Sequence, residues 1–254
     1  MVKAAEQAIK PYVTAYAVLA STLPPTPIAG ERRTDIRLTP LTVSPTTLTD
    51  YMAKKPHAQS CGQIRIIAGQ WRGRKLPVPD SPGLRPTTDR VRETLFNWLA
   101  PILHDTQCLD AFAGSGALGF EAVSRYAARA TLLEADRLVA AGLRKNAALL
   151  NAPQLEVIHT DTLRFLAQRG TPYQVVFLDP PFRKGLLNDT LTLLEQNGWL
   201  AADAWIYVEC EADSPALATP ASWALQREKV AGQVAYRLYR RQVTEQNEGD
   251  NHVD

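Results

Sequence analysis

Between residues 107 and 209, short apolar runs alternate with segments in which apolar residues recur at helical spacing. The apolar runs at 107–112, 130–134, 155–159, 175–179 and 205–209 predict five strands. The intervening patterns at 117–126, 136–150, 162–168 and 186–196 predict four helices. Strand–helix repetition implies a mostly parallel sheet with right-handed crossovers and helices on both faces. Ahead of this block, Val91, Leu95, Trp98, Leu99 and Ile102 fall on one face of a helix capped by Thr87 or Thr88 and running to about Leu103. Earlier still, residues 63–68 partly alternate and residues 73–78 follow a Gly69-Gln70-Trp71-Arg72 break, which predicts a β-hairpin. A last pair, 224–229 and 233–240 around Ala231-Gly232, predicts antiparallel strands.

The two ends of the chain read differently. Residues 1–51 hold six prolines and nine threonines without a sustained period, so they bury too little apolar surface to offset their ordering entropy. Residues 242–254 contain four acids and no Lys or Arg and predict a disordered acidic tail. The expected organisation is a disordered extension at 1–51, a basic hairpin region at 52–84, an α/β domain at 85–241 and the tail. Met52 precedes a short polar spacer before the hairpin, which makes it the expected start of the natural chain.

Whole-chain charge is only +2, but its distribution is uneven. Residues 63–92 carry seven basic side chains against two acids. Cys61, Cys108 and Cys210 are widely spaced and form no CxxC, so neither a disulfide framework nor a zinc site is expected. No apolar run has membrane-spanning length, and a cytoplasmic protein is expected.

Two loops carry the candidate chemistry. Leu109-Asp-Ala-Phe-Ala-Gly114-Ser-Gly116-Ala-Leu-Gly119 leaves a strand and enters a helix. The G-x-G-x-x-G spacing, with Glu134 twenty residues past Gly114, fits a dinucleotide or S-adenosylmethionine equally. Asp110 favours the latter: a carboxylate at the strand end suits the ammonium of a methionine moiety and disfavours a pyrophosphate. Glu134 could accept ribose hydroxyls. Asp161 could accept from the adenine amine or simply cap a helix.

The second loop is Asp179-Pro180-Pro181-Phe182, at the end of the fourth predicted strand. In an open α/β sheet that position faces the ligand crevice. An exocyclic base amine is a poor nucleophile because its lone pair is delocalised into the ring. Acceptors on both N–H groups, here the Asp179 carboxylate and the Pro180 carbonyl, favour a pyramidal nitrogen. Phe182 could stack on the base.

Within the basic stretch 63–92, Arg65, Arg72, Arg74, Lys75, Arg85, Arg90 and Arg92 suit phosphate binding. Trp71 among them could stack on an unpaired base or pack on the sheet. Arg85-Pro86-Thr87 could line the cofactor pocket instead.

The combination resembles the RsmD family, small-subunit ribosomal RNA methyltransferases that modify guanine N2. The resemblance spans about 62–240 and rests on Arg65-Ile-Ile-Ala-Gly-Gln-Trp-Arg-Gly-Arg74, the stretch from Leu84 to Trp98, the glycine loop, the Asp179–Phe182 loop and Lys229-Val-Ala-Gly-Gln-Val-Ala-Tyr236. It implies a Rossmann-like class I S-adenosylmethionine-dependent methyltransferase fold, with a mostly parallel seven-stranded sheet, an antiparallel last strand and an added N-terminal hairpin. It implies cofactor contacts at Asp110, Gly114, Gly116 and Glu134, and chemistry at Asp179, Pro180 and Phe182. The implied substrate is 16S rRNA in the small subunit or its assembly intermediate, acted on by a monomer. A DNA base amino-methyltransferase, an NAD-linked oxidoreductase and a non-catalytic RNA-binding assembly factor are the competing readings.

Overall fold

Seven strands form one mixed sheet in the order β5-β4-β3-β6-β7-β9-β8. The computed structural model describes residues 62–79, 88–214 and 217–242. The expectations for 1–51, the tail beyond Gln242, Arg85 and Thr87 lie outside the described residues. Strands β3 (Gln107–Asp110), β4 (Arg129–Glu134), β5 (Leu155–His159), β6 (Tyr173–Leu178) and β7 (Leu200–Glu211) run parallel. Strand β9 (Val234–Arg241) inserts antiparallel between β7 and β8 (Trp223–Ala231). A separate antiparallel hairpin pairs β1 (Gly62–Arg65) with β2 (Lys75–Val78).

Strand alternation divides the interior into two layers. Cys108, Leu132, Phe177 and Tyr207 belong to one cluster; Leu109, Leu133, Val176 and Ile206 belong to the other. The first cluster also contains Ile64, Ile66, Leu76 and Val78, so the hairpin shares the core of the main sheet. Helices α1 (Asp89–Leu99), α2 (Ala117–Ser124) and α3 (Arg137–Leu149) contribute buried residues to this layer. Helices α4 (Thr162–Leu166) and α5 (Leu186–Gln196) cover the opposite face.

Several boundaries differ from the pattern-based expectation. Helix α1 ends at Leu99 rather than near Leu103: Pro101 has no N–H to donate to the Asn97 carbonyl, and the Ile102 amide then bonds the Leu99 carbonyl at 2.9 Å in a tighter turn. Helix α2 ends at Ser124, and Tyr126 then takes a left-handed φ of 72°. Strand β7 begins at Leu200, five residues before its expected start, and its pairing with β6 jumps from Tyr173↔Leu200 to Val175↔Trp205. Ala201-Ala-Asp-Ala204 fills that irregularity with residues of low strand propensity, which hid it from the pattern.

The order of strands fixes where a ligand can sit. Strand β3 has β4 on one side and β6 on the other, so the crossovers leave it in opposite directions. That reversal opens a crevice beyond the carboxyl ends of β3 and β6.

Candidate active site

Asp110 closes β3 and is 1% exposed. Its Oδ2 accepts the Gly119 amide at 3.0 Å, which ties the strand end to the first turn of α2. Its Oδ1 is buried without a hydrogen-bond partner. Burial and then the neighbouring Asp179 and Glu134 carboxylates push its pKa up to about 7, against the pull of the Gly119 amide. A cation brought to Oδ1 would satisfy the one unpaired oxygen and relieve that repulsion. The ammonium of a methionine moiety has that chemistry.

The glycine loop between them is shaped by both turn geometry and packing. Gly114 and Gly116 have φ of 50° and 78°, in the left-handed region. A Cβ on Gly116 would lie 2.5 Å from the Phe120 ring and 2.6 Å from Leu143. The glycine there is therefore required by packing before any ligand is considered. Glu134, half-buried at the end of β4, accepts the Gly114 amide at 2.9 Å through Oε2 and the Asp136 amide at 2.7 Å through Oε1. Burial raises its pKa despite those two amides. Each carboxylate oxygen keeps a further lone pair for a ligand hydroxyl.

Asp161 caps α4 by accepting the Arg164 amide at 2.9 Å and is exposed just past β5. The next residue, Thr162, donates its hydroxyl to the Ala111 carbonyl at 2.5 Å. That bond holds the start of α4 against the beginning of the glycine loop. Capping leaves Asp161 a second carboxylate oxygen, so the cap and ligand readings remain compatible.

Beyond β6, Asp179 is partly buried, Pro180 is buried and Phe182 is 36% exposed. The loop is fixed from β7, where Glu211 Oε1 accepts the Arg183 amide at 2.6 Å. Arg183 itself has a left-handed φ of 60°, a conformation that costs a non-glycine residue energy and needs such a restraint. Pro180, Phe182, Lys184, Leu187 and Glu209 are among the residues that line a cleft of about 440 Å³. Glu209 was not singled out by the sequence. It is 6% exposed, and its Oε2 accepts the Tyr207 hydroxyl at 2.8 Å. Burial and then the Asp179 carboxylate raise its pKa well above the ordinary carboxylate range.

The basic residues of the hairpin and of the first turn of α1 do not share one environment. Arg72, Arg74, Lys75 and Arg90 are exposed. Arg65 is exposed but ion-paired with Asp89 at 2.9 Å. Arg92 corrects the expectation of a phosphate ligand. It is 2% exposed, donates to the Arg65 carbonyl at 2.9 Å and to Asp89 at 2.6 Å, and lies 3.7 Å from Glu121. A guanidinium buried in that way serves the fold. Trp71 is likewise half-buried against the core, so the packed alternative holds for its ring.

The hairpin loop docks at the far end of α2. The Gln70 amide donates to the Ser124 carbonyl at 2.8 Å, and Ser124 Oγ donates to the Ala68 carbonyl at 2.6 Å. Helix α2 starts at the glycine loop and has eight residues. The loop thus lies roughly 12 Å of helix away from the carboxyl edge of the sheet.

A Rossmann-like sheet whose switch-point crevice brings a glycine loop, strand-end acids and an Asp-Pro-Pro-Phe loop together defines the class: a methyltransferase. The family described as conserved hypothetical protein 95 matches residues 64–240. The ribosomal RNA small subunit methyltransferase D of Escherichia coli K12 is 64% identical over 197 residues, spanning 78% of this chain and 100% of that one. The Haemophilus influenzae protein of the same name is 56% identical over 182 residues, spanning 70% and 94% of the two chains. The solved structure of the putative methyltransferase yhhF from Escherichia coli superposes with a TM-score of 0.68 at 65% identity, covering 71% of this chain and 99% of that one. The chain belongs to the family of ribosomal RNA small subunit methyltransferase D.

Proposed function

We propose that the protein transfers the methyl group of S-adenosylmethionine to the exocyclic N2 of a guanine in small-subunit ribosomal RNA. The observation that carries this reading is the juxtaposition of Asp110, Glu134 and Asp179 around one crevice. They lie close enough that Asp179 and Glu134 raise the pKa of buried Asp110. Bound S-adenosylmethionine supplies an electrophilic methyl carbon on a sulfonium centre. Asp110 meets its ammonium, Glu134 its ribose hydroxyls and Asp161 its adenine amine, while Gly114 and Gly116 shape the turn beneath it. Asp179 and the Pro180 carbonyl accept the two N2–H groups of guanine and free the nitrogen lone pair for attack. The methylated N2 would shed one proton, which Asp179 is positioned to take as the methyl leaves the sulfonium centre with its bonding pair left on the cofactor. Phe182 stacks on the base once it has left its helix. Orientation and fixed acceptors supply most of the acceleration.

The exposed cations of the hairpin, Arg72, Arg74 and Lys75, with Arg90 at the start of α1, complete the reading as sequence-independent contacts to RNA phosphates.

The test pairs a titration with a transfer assay. The full chain should bind S-adenosylmethionine and not NAD. It should also move a labelled methyl from S-adenosylmethionine to unmethylated small ribosomal subunits. Binding of NAD in preference, or cofactor binding without transfer to subunits or to their assembly intermediates, would overturn the reading.

A further inference from the structure

Beside Asp179, the structure holds a second acid that the mechanism above does not use. In the parallel pairing of β6 with β7, Leu178 stands opposite Val208. Asp179 and Glu209 are therefore neighbours one residue past that last pair. Continuing the strand alternation, both fall on the face of Phe177 and Tyr207, with the strands about 4.8 Å apart. Glu209 lines the same cleft as Pro180 and Phe182, and the Tyr207 hydroxyl engages only its Oε2. Tyr207 is itself buried and packs near Tyr236, with ring centroids 6.5 Å apart. The carboxylate is thus held by a rigid aromatic neighbour at the mouth of β7.

Two adjacent carboxylates in a buried cleft repel one another, and burial adds to that cost. A base that brings several N–H donors on one edge relieves both costs at once. Guanine has three there: N1–H and the two hydrogens of N2. Adenine and cytosine each present one amine next to a bare ring nitrogen, whose lone pair would face a carboxylate. We propose that Glu209 is the group that selects guanine, by accepting N1–H while Asp179 and the Pro180 carbonyl hold N2. This rests on the methyl-transfer reading of the site and adds to it a residue that sets base specificity. A site built around a substrate N–H discriminates strongly against an analogue that lacks it.

The test uses 2-aminopurine, which keeps the exocyclic amine of guanine but has an acceptor at N1. Small subunits are reconstituted with rRNA carrying guanine or 2-aminopurine at the modified position, and single-turnover methyl transfer is measured with the full chain. Wild type should prefer guanine by at least about 10²-fold. In Glu209→Gln the carboxamide can donate to the bare N1, so the preference should shrink to within about tenfold, while S-adenosylmethionine binds as in wild type. Equal rates of wild type on the two bases would overturn the proposal without any variant. An unchanged preference in a folded, cofactor-binding Glu209→Gln protein would also overturn it. Failure of wild type to methylate the guanine substrate would instead strike the underlying reading of the site.

Discussion

Single carboxylates decide the behaviour of this site, and Asp110 illustrates the balance. Its ordinary value of 3.8 is raised to about 7 by burial and by the acids around it. The folded, ligand-free protein therefore holds this proton more tightly than the unfolded chain does. The associated stability is present below about pH 4 and is lost as pH rises through 7. Cofactor binding runs the other way, because an ammonium needs the ionised form. Affinity for S-adenosylmethionine should increase several-fold between pH 6 and 7.5, with deprotonation of the cofactor amine opposing the rise at the upper end. Titration calorimetry across that range checks it, and Asp110→Asn should flatten the rise; a flat wild-type profile would contradict the assignment. Asp179 should behave differently. Asp179→Ala should lower kcat by at least about 10²-fold with the cofactor Kd almost unchanged, since its acceptor role strengthens as N2 rehybridises. Wild-type single-turnover rates in that variant would remove it from the chemistry. Residues of this kind were legible in the sequence only where a motif framed them. Asp110, Glu134 and Asp179 each end a strand next to a recognisable loop, whereas Glu209 sits in an ordinary apolar strand and acquires its role only through the register of β6 against β7.

Among the elements, the attachment of the hairpin to the sheet was the least visible in advance. Its anchor is Glu121, fully buried on α2. The carboxylate accepts the Ile67 and Ala68 amides at 2.8 and 2.9 Å and the Arg125 guanidinium at 2.7 Å, with Arg92 at 3.7 Å. Nothing in the local sequence marks Glu121, because its partners lie more than fifty residues away along the chain on the hairpin side. Arg92 looked like one more member of a basic stretch for the same reason. Glu121→Ala should cost about 3–5 kcal/mol of stability, because it strips the Ile67 and Ala68 amides and the Arg125 guanidinium of their buried acceptor and leaves Arg92 with Asp89 alone; denaturant unfolding measures this, and a loss below about 1 kcal/mol would show that the hairpin is held some other way. Gly69 is the complementary constraint. With φ at 81° and a would-be Cβ 1.8 Å from the Ser124 carbonyl oxygen, Gly69→Ala should detach the loop from α2. Faster proteolysis around Trp71, with the sheet still intact by circular dichroism, is the expected signature. The strands and helices themselves were readable because alternation and helical spacing report directly on which face is buried. The early start of β7 was not, since its alanines and Asp203 pack into an irregular segment rather than a regular ladder.

For the whole molecule, the crevice and the hairpin loop lie at opposite ends of α2, so the proposed function would spread RNA contacts over a surface larger than the cleft. Replacing Arg72, Arg74 and Lys75 by Ala should weaken RNA binding and flatten its salt dependence by up to about three units of slope, with cofactor affinity unaffected. An unchanged slope would mean that these side chains do not meet phosphate. The alternation of strands and helices was legible from the pattern, and the family resemblance carried the antiparallel last strand and the substrate class that no periodicity contains; the strand order came only with the structure. Neither the burial of Arg92 and Trp71 nor the position of the hairpin loop could be read that way, because both depend on tertiary contacts to α2. The central claim is methylation of one guanine N2 in small-subunit RNA through the Asp179 loop. Its most direct test is mass mapping of nuclease fragments of that RNA from cells lacking the protein, complemented with wild type or with Asp179→Ala. A single fragment that gains one methyl group, identified as N2-methylguanosine, is expected with wild type and not with the variant. An identical methylation pattern in the deletion and wild-type cells, or a methyl on any other base atom, would contradict it.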